Sequence, residues 1–295
     1  RGHGAGGRLV TGPVFEVALA EPRAGALALA LEPARLLDEL DAGRLRAAWP
    51  DPEAPSGWRV DATVKAAILG LFAQRADRSY EVGPFGFADR ASLPLKRLLD
   101  GAEARAAREA GRAWRLVPGG TSIRAGVHLG PGVVVMPPSF ANIGAWVGAG
   151  TMIDSHVLVG SCAQIGARVH LAAGTIVGGV LEPPGARPVI VEDDAFIGGG
   201  CGLYEGVLVQ RGAVLAAGVV LTGTSRLYDL VRETVIEGTP DAPLVVPERA
   251  VVVPGTRAVA GNFGRAHGLA ISTALLVKDR DAGTDARVAL EDALR

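Results

Sequence analysis

The sequence has few aromatic residues, few cysteines, no long apolar run and almost no net charge, and these shortages exclude several classes of protein. Aromatic side chains make up 5% of the 295 residues, and the two cysteines are Cys162 and Cys201. Two cysteines cannot form the multi-bridge framework of a small secreted domain, so we expect reduced thiols and a cytoplasmic location. No apolar run reaches the roughly 18 residues of a membrane span. The formal net charge of −1 gives no reason to expect a nucleic-acid partner.

Aliphatic residues and glycine are abundant instead. Apolar residues form 48% of the chain, and there are 41 glycines, so a sizeable core without many rings is expected. Such a composition is typical of tightly wound, repetitive architectures.

The middle of the chain carries an aliphatic residue at every sixth position. Ten of the eleven residues in the first series are Val, Leu or Ile: Val117, Ile123, Leu129, Val135, Ala141, Val147, Ile153, Val159, Ile165, Leu171 and Val177. A second series has the same spacing: Val191, Ile197, Leu203, Val209, Leu215 and Leu221. Sustained periods of this kind indicate a repeat architecture.

This spacing predicts a solenoid in which six residues form one short strand and one corner. The aliphatic residue and the fourth residue after it would point inward, and three such units would close a triangular coil. Between the two series, residues 178–190 contain Gly-Gly, Pro-Pro and Gly, which predicts a loop leaving one corner. Loops of this kind often carry the binding function of a solenoid.

The chain as a whole is predicted to contain four segments. Residues 1–30 receive no assignment, and residues 31–113 are expected to be a mainly helical domain. Its predicted helices lie around Leu36 to Leu40, after the capping residue Asp61, and from Leu98 to Ala110. The β-helix is predicted over residues 114–254, and a C-terminal extension over 255–295 includes a strand from Ile271 to Val277.

Several segments of the solenoid resemble the tetrahydrodipicolinate N-succinyltransferase family. The resemblance is carried by Asn142-Ile143-Gly144, Gly150-Thr151-Met152-Ile153-Asp154, Val159-Gly160-Ser161-Cys162-Ala163-Gln164-Ile165-Gly166, Val169-His170-Leu171 and Gly178-Gly179-Val180-Leu181-Glu182-Pro183. It extends over most of the chain from about residue 30.

The resemblance implies a left-handed parallel β-helix and a homotrimer with active sites between subunits. It also implies that succinyl-CoA acylates the amine of ring-opened tetrahydrodipicolinate, with the acyl-CoA acting as a substrate and no cofactor or metal bound.

Candidate substrate-binding residues follow from matching this family. Asp154 matches the active-site aspartate, which would hold and deprotonate the amine. Arg115 matches an arginine that would bind a pimelate carboxylate with two hydrogen bonds. Ser161 and Glu205 are further polar candidates at corners, where such residues also occur for purely structural reasons.

Candidate acyl-CoA contacts rest on weaker grounds. Gly178, Gly179, Ala217 and Gly218 are small enough to let the pantetheine arm approach backbone amides. Arg226 could reach a phosphate of CoA.

The sequence departs from the family at one substrate-facing segment. The family has Arg, Ser and Glu where this chain has Gly200, Cys201 and Gly202. The succinyl group ends in a free carboxylate, and fewer hydrogen-bond donors for that carboxylate would weaken selectivity for succinyl-CoA. Transfer of an acetyl group to the same amine is therefore an alternative, although most of the resemblance favours succinyl transfer.

Two other hexapeptide-repeat functions are further alternatives. A sugar-amine acyltransferase would favour a histidine base and an aromatic platform, and aromatic residues are scarce here. A zinc enzyme of the γ-carbonic anhydrase type would need three convergent histidines. The repeat contains His128, His156 and His170, which occupy different positions in the hexad, so no metal site is expected.

Overall fold

The computed structural model describes residues 25–98, 101–239 and 242–285. The predictions for residues 1–24 and 286–295 lie outside this part. The region before the solenoid contains a 3₁₀ helix, three α-helices and two hairpins: Gly25–Ala30, α1 Pro33–Asp41, β1 Ala48–Pro50, β2 Trp58–Val60, α2 Ala62–Ala73, β3 Asp77–Val82, β4 Phe85–Arg90 and α3 Gly101–Glu109.

The N-terminal region is less helical than the sequence predicted. The helices lie where they were expected, and the Asp61 side chain caps α2 by accepting hydrogen bonds from the amides of Thr63 and Val64. The antiparallel pairs β1–β2 and β3–β4 were missed. Both hairpins are short and mostly half-buried or exposed, so their sequences lack a strict alternation of apolar and polar residues.

The repeat folds as predicted, into two-residue strands separated by corners. The strands are β5 Arg115–Leu116, β6 Ser122–Ile123, β7 His128–Leu129, β8 Val134–Val135, β9 Phe140–Ala141, β10 Trp146–Val147, β11 Met152–Ile153, β12 Leu158–Val159, β13 Gln164–Ile165, β14 His170–Leu171, β15 Ile176–Val177, β16 Ile190–Val191, β17 Phe196–Ile197, β18 Gly202–Leu203, β19 Leu208–Val209, β20 Val214–Leu215 and β21 Val220–Leu221.

The last coil leads into longer strands. These are the hairpin β22 Arg226–Asp229 and β23 Thr234–Glu237, then β24 Val245–Val246, β25 Ala250–Ala258 and β26 Ala270–Asp279, with α4 Asn262–Ala266 between the last two. Strand β26 contains the predicted segment Ile271 to Val277, and it pairs with both β25 and β22.

Three faces run along the solenoid. Face I contains β5, β8, β11, β14, β17, β20 and β25; face II contains β6, β9, β12, β15, β18 and β21; face III contains β7, β10, β13, β16, β19 and β24. Each strand pairs in parallel with the equivalent strand of the next coil. Strand β10, for example, pairs with β13 and places Trp146 opposite Gln164. Ile190, the last residue of the predicted loop, is the first residue of β16 and pairs with Gln164. The loop at 178–190 is therefore an enlargement of one coil that leaves the register intact.

The core is the predicted aliphatic ladder, except at its first member, because Leu116 and not Val117 pairs with Val135 and Val117 is only half-buried. Ile153, Val159, Ile165 and Leu171 are almost fully buried, as are most other members of both series. The smaller inward positions, such as Thr151 and Thr175, are buried too. Thr151 Oγ1 donates to the Gly166 carbonyl at 2.8 Å, which satisfies a polar group inside the coil.

The N-terminal region packs on face III and on the adjoining loop. Leu36, Leu40 and Ile68 form a buried cluster with Ile143 and Cys162 of the solenoid.

A buried arginine reinforces this docking. Arg46 is 4% exposed, donates to Gln164 Oε1 at 3.0 Å and lies 3.8 Å from the ring centroid of Trp146. Burial lowers the pKa of Arg46 to about 9. Face III is thereby covered.

Candidate active site

Asp154 lies at the corner that joins face I to face II. It follows strand β11, and its side chain is half-buried. The corner is held by Ser139, whose hydroxyl donates to the Asp154 carbonyl at 2.9 Å. The Asp154 carboxylate accepts a hydrogen bond from the Ser155 amide at 2.7 Å. No other described residue donates to this carboxylate, so its remaining lone pairs can accept from an amine.

Arg115 lies on face I, which ends at the Asp154 corner. Strand β5 pairs with β8, and β8 pairs with β11, in a register that aligns Arg115 with Met152. Two strand spacings of about 5 Å each therefore separate Arg115 from Met152, and Asp154 lies two residues beyond Met152. The Arg115 side chain is exposed and lines a cavity of about 550 Å³ beside Arg108 of α3. No hydrogen bond joins Arg115 and Asp154 within the described chain, and a substrate with two carboxylates could span the gap.

Ser161 and Glu205 lie at a different corner, where face II meets face III. Ser161 is 5% exposed, and its carbonyl accepts a hydrogen bond from the Val180 amide at 3.3 Å. Glu205 has a positive φ of 51°, and its carboxylate accepts a hydrogen bond from the Gly223 amide at 3.1 Å. One chain therefore does not bring these two residues together with Asp154.

Gly178 and Gly179 begin the loop at the same corner as Ser161. Space there is so tight that a Cβ on Gly160 would overlap the Gly179 amide nitrogen. Glycine is required because two backbone segments touch. The loop and the corner together line a cavity of about 670 Å³ that also includes Tyr204, Glu205 and Arg187. We call it the loop cavity.

The other candidate acyl-CoA contacts lie at the far end of the solenoid. Ala217 and Gly218 form the last corner between faces I and II. Gly218 and Arg226 line a cavity of about 710 Å³. Arg226 forms an ion pair with Glu237 at 2.6 Å, which competes with the predicted phosphate contact. Arg257 lines the same cavity and was missed, because it is on β25, beyond the hexad pattern.

Lys65 is a second residue that the sequence did not single out as functional. It is fully buried, and its ammonium donates to the carbonyls of Pro183 and Ala186 in the loop at 178–190. Burial lowers the pKa of Lys65. Helix α2 therefore fixes the loop that lines the loop cavity.

The three histidines of the repeat lie on different sides of the solenoid. His128 is on face III, stacked on Trp146 with 5.1 Å between ring centroids. His156 is exposed at a corner. His170 is 4% exposed on face I, against Phe196 at 4.9 Å. Across the described ranges, no group of three potential ligands could hold a metal ion.

Two further observations bear on the classes considered from the sequence. Both cysteines are buried and free. None of the helices described is long and apolar enough to cross a membrane.

Comparison with known proteins identifies close relatives. A family model described as "Hexapeptide repeat of succinyl-transferase" matches residues 188–223. A 2,3,4,5-tetrahydropyridine-2,6-dicarboxylate N-succinyltransferase of Idiomarina loihiensis is 41% identical over 261 residues, covering 88% of this chain and 87% of the relative. An enzyme of the same name from a Methylobacterium species is 39% identical, covering 87% of this chain and 86% of the relative.

Solved structures add little to this relationship. A hexapeptide-repeat acetyltransferase of Vibrio cholerae, complexed with acetyl coenzyme A, has a TM-score of 0.27 at 17% identity and covers 63% of this chain and 80% of its own. The assignment rests on the sequence relatives and on the observed coils. The chain belongs to the tetrahydrodipicolinate N-succinyltransferase family of left-handed hexapeptide-repeat acyltransferases.

Proposed function

We propose that this chain transfers the succinyl group of succinyl-CoA to the amine of tetrahydrodipicolinate, which reacts as ring-opened L-2-amino-6-oxopimelate. The product would serve diaminopimelate and lysine biosynthesis in the cytoplasm. The observation that carries this proposal is 41% identity over 261 residues to a relative with this named activity. The position of Asp154 at an accessible corner supports it.

Asp154 acts as the general base in this proposal. Its carboxylate accepts a proton from the substrate ammonium, and the resulting amine attacks the thioester carbonyl. The tetrahedral oxyanion that forms needs hydrogen-bond donors, which backbone amides at the corners can supply. Collapse of this intermediate breaks the C–S bond and forms the amide. The attacking nitrogen gives up its second proton at this step, and a proton passes to the CoA thiolate, which leaves as a thiol. Arg115 binds one substrate carboxylate, and Ser161 and Glu205 supply further polar contacts.

A homotrimer accounts for the separation of the candidate residues. In a cyclic assembly, each interface joins different patches of neighbouring chains. The corner carrying Asp154 on one protomer would face the corner carrying Ser161, Gly178, Gly179 and Glu205 on the next. Acyl-CoA would bind as a substrate in that cleft, with no resident cofactor or metal.

Acetyl transfer to the same amine is the second candidate. Gly200, Cys201 and Gly202 provide no charged side chain where the family has Arg and Glu, which favours a donor without a distal carboxylate.

The test is a thiol-release assay with tetrahydrodipicolinate and either donor. Burial raises the pKa of Cys162 to about 12 and also raises that of Cys201, so the folded protein should contribute little signal of its own. We expect faster release with succinyl-CoA than with acetyl-CoA. Absence of release with both donors would refute the proposed function.

A further inference from the structure

The loop cavity contains an arginine without a partner in the described chain. Arg187 Nε and Nη1 are buried, and neither forms a hydrogen bond to the described residues. Buried guanidinium nitrogens are costly unless they are paired. An anion from outside the chain would remove this cost.

Nearby carboxylates do not supply that anion. Glu182 and Glu205 line the same cavity, but neither forms an ion pair with Arg187 within the described ranges. Glu205 instead accepts from the Gly223 amide. Burial lowers the pKa of Arg187, and no carboxylate among the described residues opposes this effect. The cavity therefore offers a cation to a ligand.

The Tyr204 ring occupies the space beside Gly202. A Cβ on Gly202 would lie 2.6 Å from Tyr204 Cε2 and 3.1 Å from its hydroxyl oxygen. The ring also covers Gly178, because a Cβ on Gly178 would lie 2.9 Å from Tyr204 Cδ1. Loss of a side chain at 202 thus allows Tyr204 to fold back over face II. Its hydroxyl has no hydrogen-bond partner among the described residues.

Resting on the proposed function, we propose that Arg187 and Tyr204 bind the distal carboxylate of the succinyl group. They would supply hydrogen-bond donors that Gly200, Cys201 and Gly202 do not provide. A guanidinium and a phenol can both donate to one carboxylate. Gly178 and Gly179, the candidate pantetheine contacts, line the same cavity, so an acyl group continuing from the pantetheine arm would enter it.

Helix α2 prepares this subsite for its ligand. Lys65 donates to the carbonyls of Pro183 and Ala186, and Ala186 directly precedes Arg187. A loop fixed in this way holds the guanidinium before the ligand binds, which lowers the entropic cost of binding. Lys65 is a positioning residue in this proposal.

The test compares binding of succinyl-CoA and acetyl-CoA to the 295-residue chain by calorimetry. Arg187→Met should weaken succinyl-CoA binding roughly 10- to 100-fold, the usual effect of losing a charge-assisted hydrogen bond. Tyr204→Phe keeps the ring over Gly202 but removes the hydroxyl, and it should weaken succinyl-CoA binding several-fold. Acetyl-CoA should bind both variants as it binds the wild type, which also shows that they are folded. Arg78→Met, on the exposed hairpin β3–β4, is the matched control.

The outcomes separate this subsite from the proposed function. An active wild type whose Arg187→Met variant binds succinyl-CoA unchanged refutes the subsite alone. If Arg187→Met weakens the binding of succinyl-CoA and acetyl-CoA equally, the subsite is also refuted, because the arginine would then contact a part that both donors share. A wild type that releases no CoA from either donor refutes the proposed function itself.

Discussion

Asp154 illustrates what a single residue contributes at a solenoid corner. The backbone on both sides is fixed by coil hydrogen bonds, including Asp154 N to the Leu171 carbonyl at 3.0 Å. The carboxylate thus projects from a rigid frame. Sequence matching could identify the residue, because corner positions recur every six residues. It could not identify Tyr204 or Arg187, whose positions depend on the absent side chain at Gly202 and on the loop.

Asp154→Asn tests the general base directly. Asparagine retains an oxygen that can accept from the Ser155 amide, so the corner should remain folded. We expect kcat to fall by roughly 10²- to 10⁴-fold, with a small change in the KM for tetrahydrodipicolinate. Asp194→Asn, at another corner, should retain the wild-type rate. Full turnover by Asp154→Asn would exclude this role.

His128 should make stability depend on pH. Burial lowers its pKa from 6.5 to about 4, so the folded state keeps it neutral while the unfolded chain binds a proton below pH 6.5. The free energy of unfolding should therefore fall between pH 6.5 and about 4, by up to roughly 3 kcal/mol from this residue.

His128→Phe preserves a ring against Trp146 but cannot titrate. Denaturant unfolding at pH 7 and pH 4.5 should show a weaker loss of stability in the variant than in the wild type. An identical loss in both proteins would show that His128 is not responsible.

At the scale of elements, helix α2 and the loop at 178–190 act as one unit. The sequence predicted both, because the helix has an N-cap and an apolar face and the loop interrupts the hexad. Their contact was not predictable for two reasons. Lysine side chains are usually exposed, and the acceptors of Lys65 are the backbone carbonyls of Pro183 and Ala186, which lie far along the chain.

Lys65→Met should release this loop. The carbonyls of Pro183 and Ala186 lose their donor, at a cost of about 1–3 kcal/mol, and hydrogen exchange of the loop amides should accelerate. Lys96→Met is the matched control, because Lys96 binds Asp41 and the Val127 carbonyl, away from the loop. Protection of the loop in Lys65→Met equal to that in Lys96→Met would contradict this role.

For the whole molecule, the three faces differ in what covers them. The N-terminal region covers face III, and the outward residues Met152 and His170 of face I are 9% and 4% exposed. Face II leaves Ile176 and Val220 at 37% and 55% exposed. The repeat period predicted the coils, but it could not show which face remains open, because that depends on the flanking segments.

Exposed aliphatic residues along one face indicate an interface, so Ile176→Glu should disrupt the proposed trimer. Sedimentation should give close to three times the 30.2 kDa chain mass for the wild type and one chain mass for the variant. Thiol release should be lost together with the trimer, because the candidate residues lie on separate corners of each chain. Val235→Glu, on the hairpin β22–β23, introduces the same charge and should remain trimeric and active. A monomeric Ile176→Glu variant with full activity would show that one chain contains the complete site.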